Sequence, residues 1–320
     1  MGQVVALAGQ VGGAKLVDGL YRRRGADLAA IVNTGDDYEH LTLAFSPDID
    51  TILYVLSGLS AASAPWEPAG ESRSLFETLR RLGGPDGLVL GDRSLAAPLL
   101  RTAWLAEGRR LTEITLDFAR QLGIGCRILP MSDDPVRTHV LTDEGTLSFQ
   151  EYFTAFACEP VVRGFQYAGA DRAMLTPEIA DVLDSPDLEA VILCPANPYH
   201  TIRPILEVPG MTELLRKRKA PVIAVTPIVG GKALTGSAGK MMSELRHEAS
   251  ARRVAIEYHR LIDGFVVDAT DAASEEAIRS LGMATMVANT IMRKEEDRVA
   301  LADAVLGFAQ RIREQRLQDA

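Results

Sequence analysis

Cysteine is scarce: the 320 residues contain three, Cys126, Cys158 and Cys194. None forms a C-x-x-C pair or a metal-ligand spacing, which excludes a disulfide framework and a structural zinc and fits a reducing compartment. Histidine is sparse too, and His40, His139, His200, His247 and His259 form no H-x-x-x-H pattern and no triad spacing. No apolar run reaches membrane-spanning length, and no basic segment leading into an apolar one opens the chain, so a soluble cytoplasmic protein is expected. A G-x-S-x-G elbow, a cysteine in a nucleophile setting, a G-x-G-x-x-G fingerprint and a Walker A loop are all missing. Hydrolysis through a covalent intermediate is therefore disfavoured. Excess positive charge is lacking as well. With 34 Lys and Arg against 43 Asp and Glu the formal net charge is -9, which argues against a nucleic-acid surface. The dense basic runs, 22–24 and 216–219, read as solvated cations at helix ends.

What is present is core-forming material: 47% of residues are hydrophobic and 24% charged. Short β-branched apolar runs at 4–8, 28–32, 88–90, 190–194, 222–226, 265–268 and 284–287 alternate with helical patterns. This is the pattern of an α/β fold with a Rossmann-like, mostly parallel, doubly wound sheet. A helix is expected over 72–82, with Leu75, Phe76, Leu79 and Leu82 on one stripe, and another starts at Thr176-Pro177. Residues 138–141 and 146–150 flank the turn Asp143-Glu144-Gly145 and predict a β-hairpin. The expected organisation is one domain over 1–320 with a small β-hairpin and helical insertion near 130–175.

In such sheets ligands sit beyond the carboxyl ends of the strands, so the loops there carry the functional reading. The first is Gly9-Gln10-Val11-Gly12-Gly13-Ala14-Lys15-Leu16, a glycine-rich turn opening a helix, suited to binding an anion on unpaired N–H groups. Asn33-Thr34-Gly35-Asp36-Asp37 and Ser46-Pro47-Asp48-Ile49-Asp50-Thr51 bring carboxylates that suit a hard divalent cation, although Asp48 or Asp50 also reads as a helix cap. Further on lie Gly91-Asp92-Arg93, the Asn197-Pro198 turn with His200 close behind, Thr226-Pro227-Ile228-Val229-Gly230, and a second glycine-rich loop ending at Lys240. Two such loops suggest a polyphosphate ligand.

Together with Met131-Ser132-Asp133-Asp134-Pro135, these motifs, in order from the first strand to about Met242, resemble the 2-phospho-L-lactate transferase family of coenzyme F-420 biosynthesis. The resemblance implies transfer of a phospholactyl-type group from a GDP-activated donor to the terminal ribityl hydroxyl of the deazaflavin Fo, with release of GMP. The group would derive from phospholactate, phosphoenolpyruvate or 3-phosphoglycerate. It implies Mg²⁺ on Asp36, Asp48 and Asp50, Fo beside Asp48, Asp50, Asp92 and Arg93, and a homodimer. Nucleotide and phosphate contacts are expected from Gly9, Gly12, Gly13, Lys15, Asn33, Asn197, Pro198, Thr226, Gly230 and Lys240, with Asp50 orienting or deprotonating the hydroxyl. Departures from the usual pattern are Gln10 for a third glycine, Ala196 for Ser before Asn-Pro, and Arg203 for Gly before Pro204. They bear on the acyl part of the donor. Two other readings carry distinct expectations: a non-catalytic nucleotide-sugar or dinucleotide-binding regulator of the gluconeogenesis-factor type, and an NAD-dependent oxidoreductase, against which the missing fingerprint speaks.

Overall fold

The computed structural model describes residues 2–84, 89, 91–233 and 236–318. Seven strands form its central sheet: β1 (Gln3–Ala8), β2 (Leu28–Val32), β3 (Arg127–Pro130), β4 (Leu188–Leu193), β5 (Val222–Val225), β6 (Gly264–Asp268) and β7 (Ala284–Ala288). Their spatial order is β7-β6-β5-β4-β1-β2-β3, and every pairing is parallel. This is the Rossmann order, in which the winding reverses between β1 and β4.

The strands are apolar on both faces because both faces are covered. Along β1, Val5 and Leu7 enter one core and Val4, Ala6 and Ala8 the other. The second core is closed by α1 (Gln10–Arg24), α2 (Pro47–Ser57), the helix Leu111–Gln121 and the C-terminal helix Glu295–Gln318, through residues such as Leu16, Ile52, Phe118 and Val305. Each such fully buried aliphatic side chain contributes roughly 1.5–3 kcal/mol. Register sets the functional rim. Ala8 pairs with Val32 and Leu7 with Leu193, so the residues that follow β1, β2 and β4 emerge side by side.

Six of the seven expected strands are present. The run at 88–90 lies outside the described residues apart from Val89, which is in no strand. β3 escapes the sequence pattern because Arg127 and Pro130 bound only two apolar residues; at the sheet edge a terminal proline is tolerated. The expected hairpin forms as Arg137–Thr142 with Gly145–Ser148, and Val162–Ala168 joins it as a third antiparallel strand. Thr176 caps its helix, Oγ1 accepting from Ile179 N at 3.3 Å. The helix expected over 72–82 spans Ser74–Arg81; Phe76 is buried and Leu79 half-buried, but Leu75 is exposed and Leu82 is 81% exposed. No helix among the described residues is long and apolar enough to cross a membrane.

Candidate functional site

A cavity of about 270 Å³ opens at the switch point, between the loops that follow β1 and β4. One wall is the start of α1, with Gln10, Val11, Gly12 and Lys15; Pro195, Ala196 and Asn197 face it. Helix α1 is preceded by Gly9, which has extended backbone and no capping side chain; Asp48 takes the Gln10 N–H, and the next N–H groups, at Val11 and Gly12 on the cavity wall, are left to meet an anion. Close packing explains two of its glycines. A Cβ on Gly12 would stand 2.3 Å from Pro195 O, and one on Gly9 2.3 Å from Asp48 Oδ2. Lys15 is half-buried at the wall, its Nζ donating to Met292 O at 3.0 Å; burial and the nearby Arg298 lower its pKa.

The cavity is completed by 290–293, the segment after β7, and by Thr226, Gly236, Ser237 and Ala238. Asp268 at the end of β6 ties that segment down, accepting from Thr290 N at 2.8 Å and Thr290 Oγ1 at 2.9 Å. Sequence reading missed Thr290 to Arg293 because they carry no glycine or acidic motif. Their place after a sheet strand was the available signal.

Beside the cavity lies a buried polar cluster. Asp48 accepts from Gln10 N at 2.8 Å and from Asn33 Nδ2 at 2.9 Å, while Asn33 Oδ1 accepts from Gly35 N at 2.8 Å. Asp36 Oδ2 is 2.9 Å from His200 Nδ1, and its Oδ1 has no partner. The His200 ring stacks on Phe149 of the antiparallel insertion, centroids 4.0 Å apart. Burial raises the pKa of Asp48 to about 7, the charge of Asp36 adding to it against the donors Asn33 and Gln10. Burial likewise raises Asp36, against the pull of His200. Asp37, pushed up to about 8 by burial, accepts from Ser46 Oγ at 2.7 Å.

The expected residues do not all converge here. Gly12, Lys15, Asn197 and Thr226 line the cavity, Gly9 and Asn33 adjoin it through Asp48, and Pro198 follows Asn197. Gly13 lies buried in the first turn of α1. Asp50 is different: both of its oxygens are held by Arg101, Nη1 to Oδ2 at 3.2 Å and Nη2 to Oδ1, in a pair that is almost fully buried. That pair neutralises Asp50 with a buried guanidinium and gives the carboxylate a structural role, which speaks against the expectation of Asp50 as metal ligand and base. Lys240 points away from the cavity, with Nζ donating to Pro160 O at 3.0 Å and pairing with Glu244. Gly230 turns a small hairpin and donates to Asp271 Oδ2 at 2.9 Å. Asp92 accepts from Leu75 N at 3.0 Å and from Ser72 Oγ, and Arg93 donates to Ala69 O at 2.6 Å. Neither lines the cavity.

Among the described residues no three His, Cys, Asp or Glu side chains are grouped to hold a metal ion by themselves. The buried Asp36, whose Oδ1 has no partner, with the buried Asp48 close by nevertheless fits Mg²⁺, which commonly takes one or two carboxylates and fills its remaining positions with water and substrate phosphates.

A profile of the family described as 2-phospho-L-lactate transferase CofD matches residues 4–304. The 2-phospho-L-lactate transferase of Methanosarcina mazei is 36% identical, covering 95% of this chain and 99% of that protein. The phosphoenolpyruvate transferase of Kitasatospora aureofaciens is 35% identical, covering 97% and 99%. A crystal structure of a UPF0052 family protein from Bacillus halodurans superposes with a TM-score of 0.63 at 16% identity, covering 95% and 98%; this likeness shows a shared fold.

Proposed function

The chain belongs to the 2-phospho-L-lactate transferase family, and from that premise we propose that it transfers a phospholactyl-type group from a GDP-activated donor to the terminal ribityl hydroxyl of Fo, releasing GMP, in coenzyme F-420 biosynthesis. The observation that carries this reading is the adjacency of an uncapped helix N-terminus with Lys15 to the buried Asp36 and Asp48. One half suits a diphosphate and the other a divalent cation.

The N–H groups of Val11 and Gly12 and the Lys15 ammonium receive the donor diphosphate, and Asn197 and Thr226 border the space for the nucleoside. Asp36 and Asp48 are the residues that would hold Mg²⁺. When bound, Mg²⁺ supplies positive charge against the diphosphate. The acceptor belongs on the flank formed by α2 and the Gly91-Asp92-Arg93 turn, as the family resemblance implies. In the reaction the Fo hydroxyl oxygen forms a bond to phosphorus, the bridging bond to GMP breaks, and the hydroxyl proton is released to the medium. Positioning and charge compensation carry such transfers, so Asp50 is not required as a base.

The donor's acyl group is one of phospholactate, phosphoenolpyruvate and 3-phosphoglycerate derivatives; the relatives named above are transferases of the first two. The reading includes a homodimer in the cytoplasm, to which the exposed Leu99 and Leu100 offer apolar surface; sedimentation of the purified chain checks the dimer. Fluorescence titration of Fo tests the acceptor. A saturable change in Fo emission that GDP and Mg²⁺ strengthen is expected. GDP binding with no response from Fo would instead favour a nucleotide-binding regulator.

A further inference from the structure

Gln10 occupies an uncommon place. It is the first residue of α1 and has φ of 55°, the left-handed region that side chains such as glutamine seldom adopt. Its backbone N–H donates to Asp48 Oδ1 at 2.8 Å. Its side-chain amide spans two further groups, with Oε1 3.3 Å from Asn197 N and Nε2 3.3 Å from His200 Nε2. His200 Nδ1 then lies 2.9 Å from Asp36 Oδ2.

The proton positions in this chain follow from one fixed donor. A backbone N–H only donates, so the Gln10 atom facing Asn197 is the carbonyl oxygen. The amide nitrogen therefore faces His200 and donates, which makes His200 Nε2 the acceptor and leaves the proton of the neutral ring on Nδ1, directed at Asp36. Thr201 Oγ1, 3.3 Å from the same Nδ1, can share that proton as a second acceptor. Phe149 stacks on the ring and fixes its plane. One residue thus reaches Asp48 by its backbone and Asp36 through His200, while forming part of the cavity wall.

We infer that Gln10 is a positioning residue that links the cavity wall at Asn197, through the ring of His200, to the orientation of Asp36. With this backbone conformation the N–H meets Asp48 while the side-chain amide meets Asn197 and His200. Gln10 acts through His200 and Asp36 on the transfer step. Only the kinetic consequence rests on the proposed transferase reaction; the hydrogen-bond chain stands without it.

The test has two arms. In ¹⁵N-histidine NMR, with the His200 signal assigned from a His200→Gln variant, the wild-type ring is expected as the Nδ1-protonated tautomer. Gln10→Gly, which accepts the left-handed backbone readily, removes the donor to Nε2 and should move the ¹⁵N shift of that nitrogen while Asp36 keeps the proton on Nδ1. A wild-type ring protonated on Nε2, or an Nε2 shift unaffected by Gln10→Gly, overturns the inference whether or not the protein is a transferase. In steady-state assays Gln10→Gly should lower kcat about tenfold or more, with the donor KM changed less than about threefold. Gln10→Glu keeps the shape without the donor and should lower kcat similarly. Wild-type kcat in both variants, with the transferase itself active, overturns the positioning role. An inactive wild type counts against the proposed function, and the NMR arm still decides the hydrogen-bond chain.

Discussion

Replacing Arg101 by Met would strand the Asp50 carboxylate where almost no solvent reaches it. The guanidinium is 1% exposed and its partner 7%; besides gripping Asp50 it donates to Ala44 O at 3.1 Å. Asp50 also lies close enough to Asp37 for its charge to raise that group's pKa, so the loss of Arg101 leaves two carboxylates with less compensation. Removing one partner of a buried pair costs about 3–5 kcal/mol, whereas replacing both with apolar side chains of similar volume is often neutral or better. Arg101→Met and Asp50→Leu should therefore each destabilise strongly, and the double variant should recover most of the loss. For a chain of this size the singles correspond to a fall in Tm of roughly 4–8 °C. Urea unfolding followed by tryptophan emission reads the cycle, since Trp104 lies on the same helix as Arg101. Two single losses below about 1 kcal/mol that simply add would refute the buried pair. They would also return Asp50 to the groups available for chemistry.

Three other outcomes follow from the same geometry. Gly9→Ala places a methyl group 2.3 Å from Asp48 Oδ2 and 2.5 Å from Thr201 Cγ2, so turnover should fall by about a hundredfold; an unchanged rate would mean that Asp48 need not stay where it is. Lys15→Met removes the cation at the helix start and its bond to Met292 O, and should raise the donor KM about tenfold or more, measured in initial-rate assays. Asp268 has a lowered pKa: burial pushes it up, but the N–H and hydroxyl donors of Thr290 and Thr270 outweigh that. A carboxylate lowered in the fold binds fewer protons there than in the unfolded chain, so its stabilisation is present above about pH 4 and is lost as pH falls. Asp268→Asn should cost roughly 1–3 kcal/mol near neutrality and flatten the acid side of the Tm-against-pH curve; an acid limb identical to wild type would sink the assignment.

Most of the sheet could be read from the chain because strands buried on both faces are continuous apolar runs, as in Val4 to Ala8 and Ala190 to Leu193. β3 was not legible, since a strand of four residues ending in proline carries too little pattern. The rule that ligands meet the carboxyl ends of strands led directly to Gln10–Lys15, Asn33 and Asn197. Partnership was harder to foresee. Asp50 and Arg101 are separated by 51 positions, and an arginine on an amphipathic helix reads as a solvated cation until the fold brings it inward. Lys240 follows a glycine-rich loop as a phosphate ligand would, yet the insertion claims it through Tyr152 and Pro160. Phe149 belongs to a hairpin that pattern alone detects, but its stacking on His200 is a tertiary fact.

The central claim is tested most directly by incubating the purified chain with Mg²⁺, Fo and, separately, GDP-activated donors of phospholactate, phosphoenolpyruvate and 3-phosphoglycerate, and weighing the deazaflavin by mass spectrometry. The account predicts that one donor gives a deazaflavin heavier by its phosphorylated acyl group, with one GMP released per product and loss of the reaction in Asp36→Asn. Unmodified Fo with every donor, from a folded protein, would contradict it.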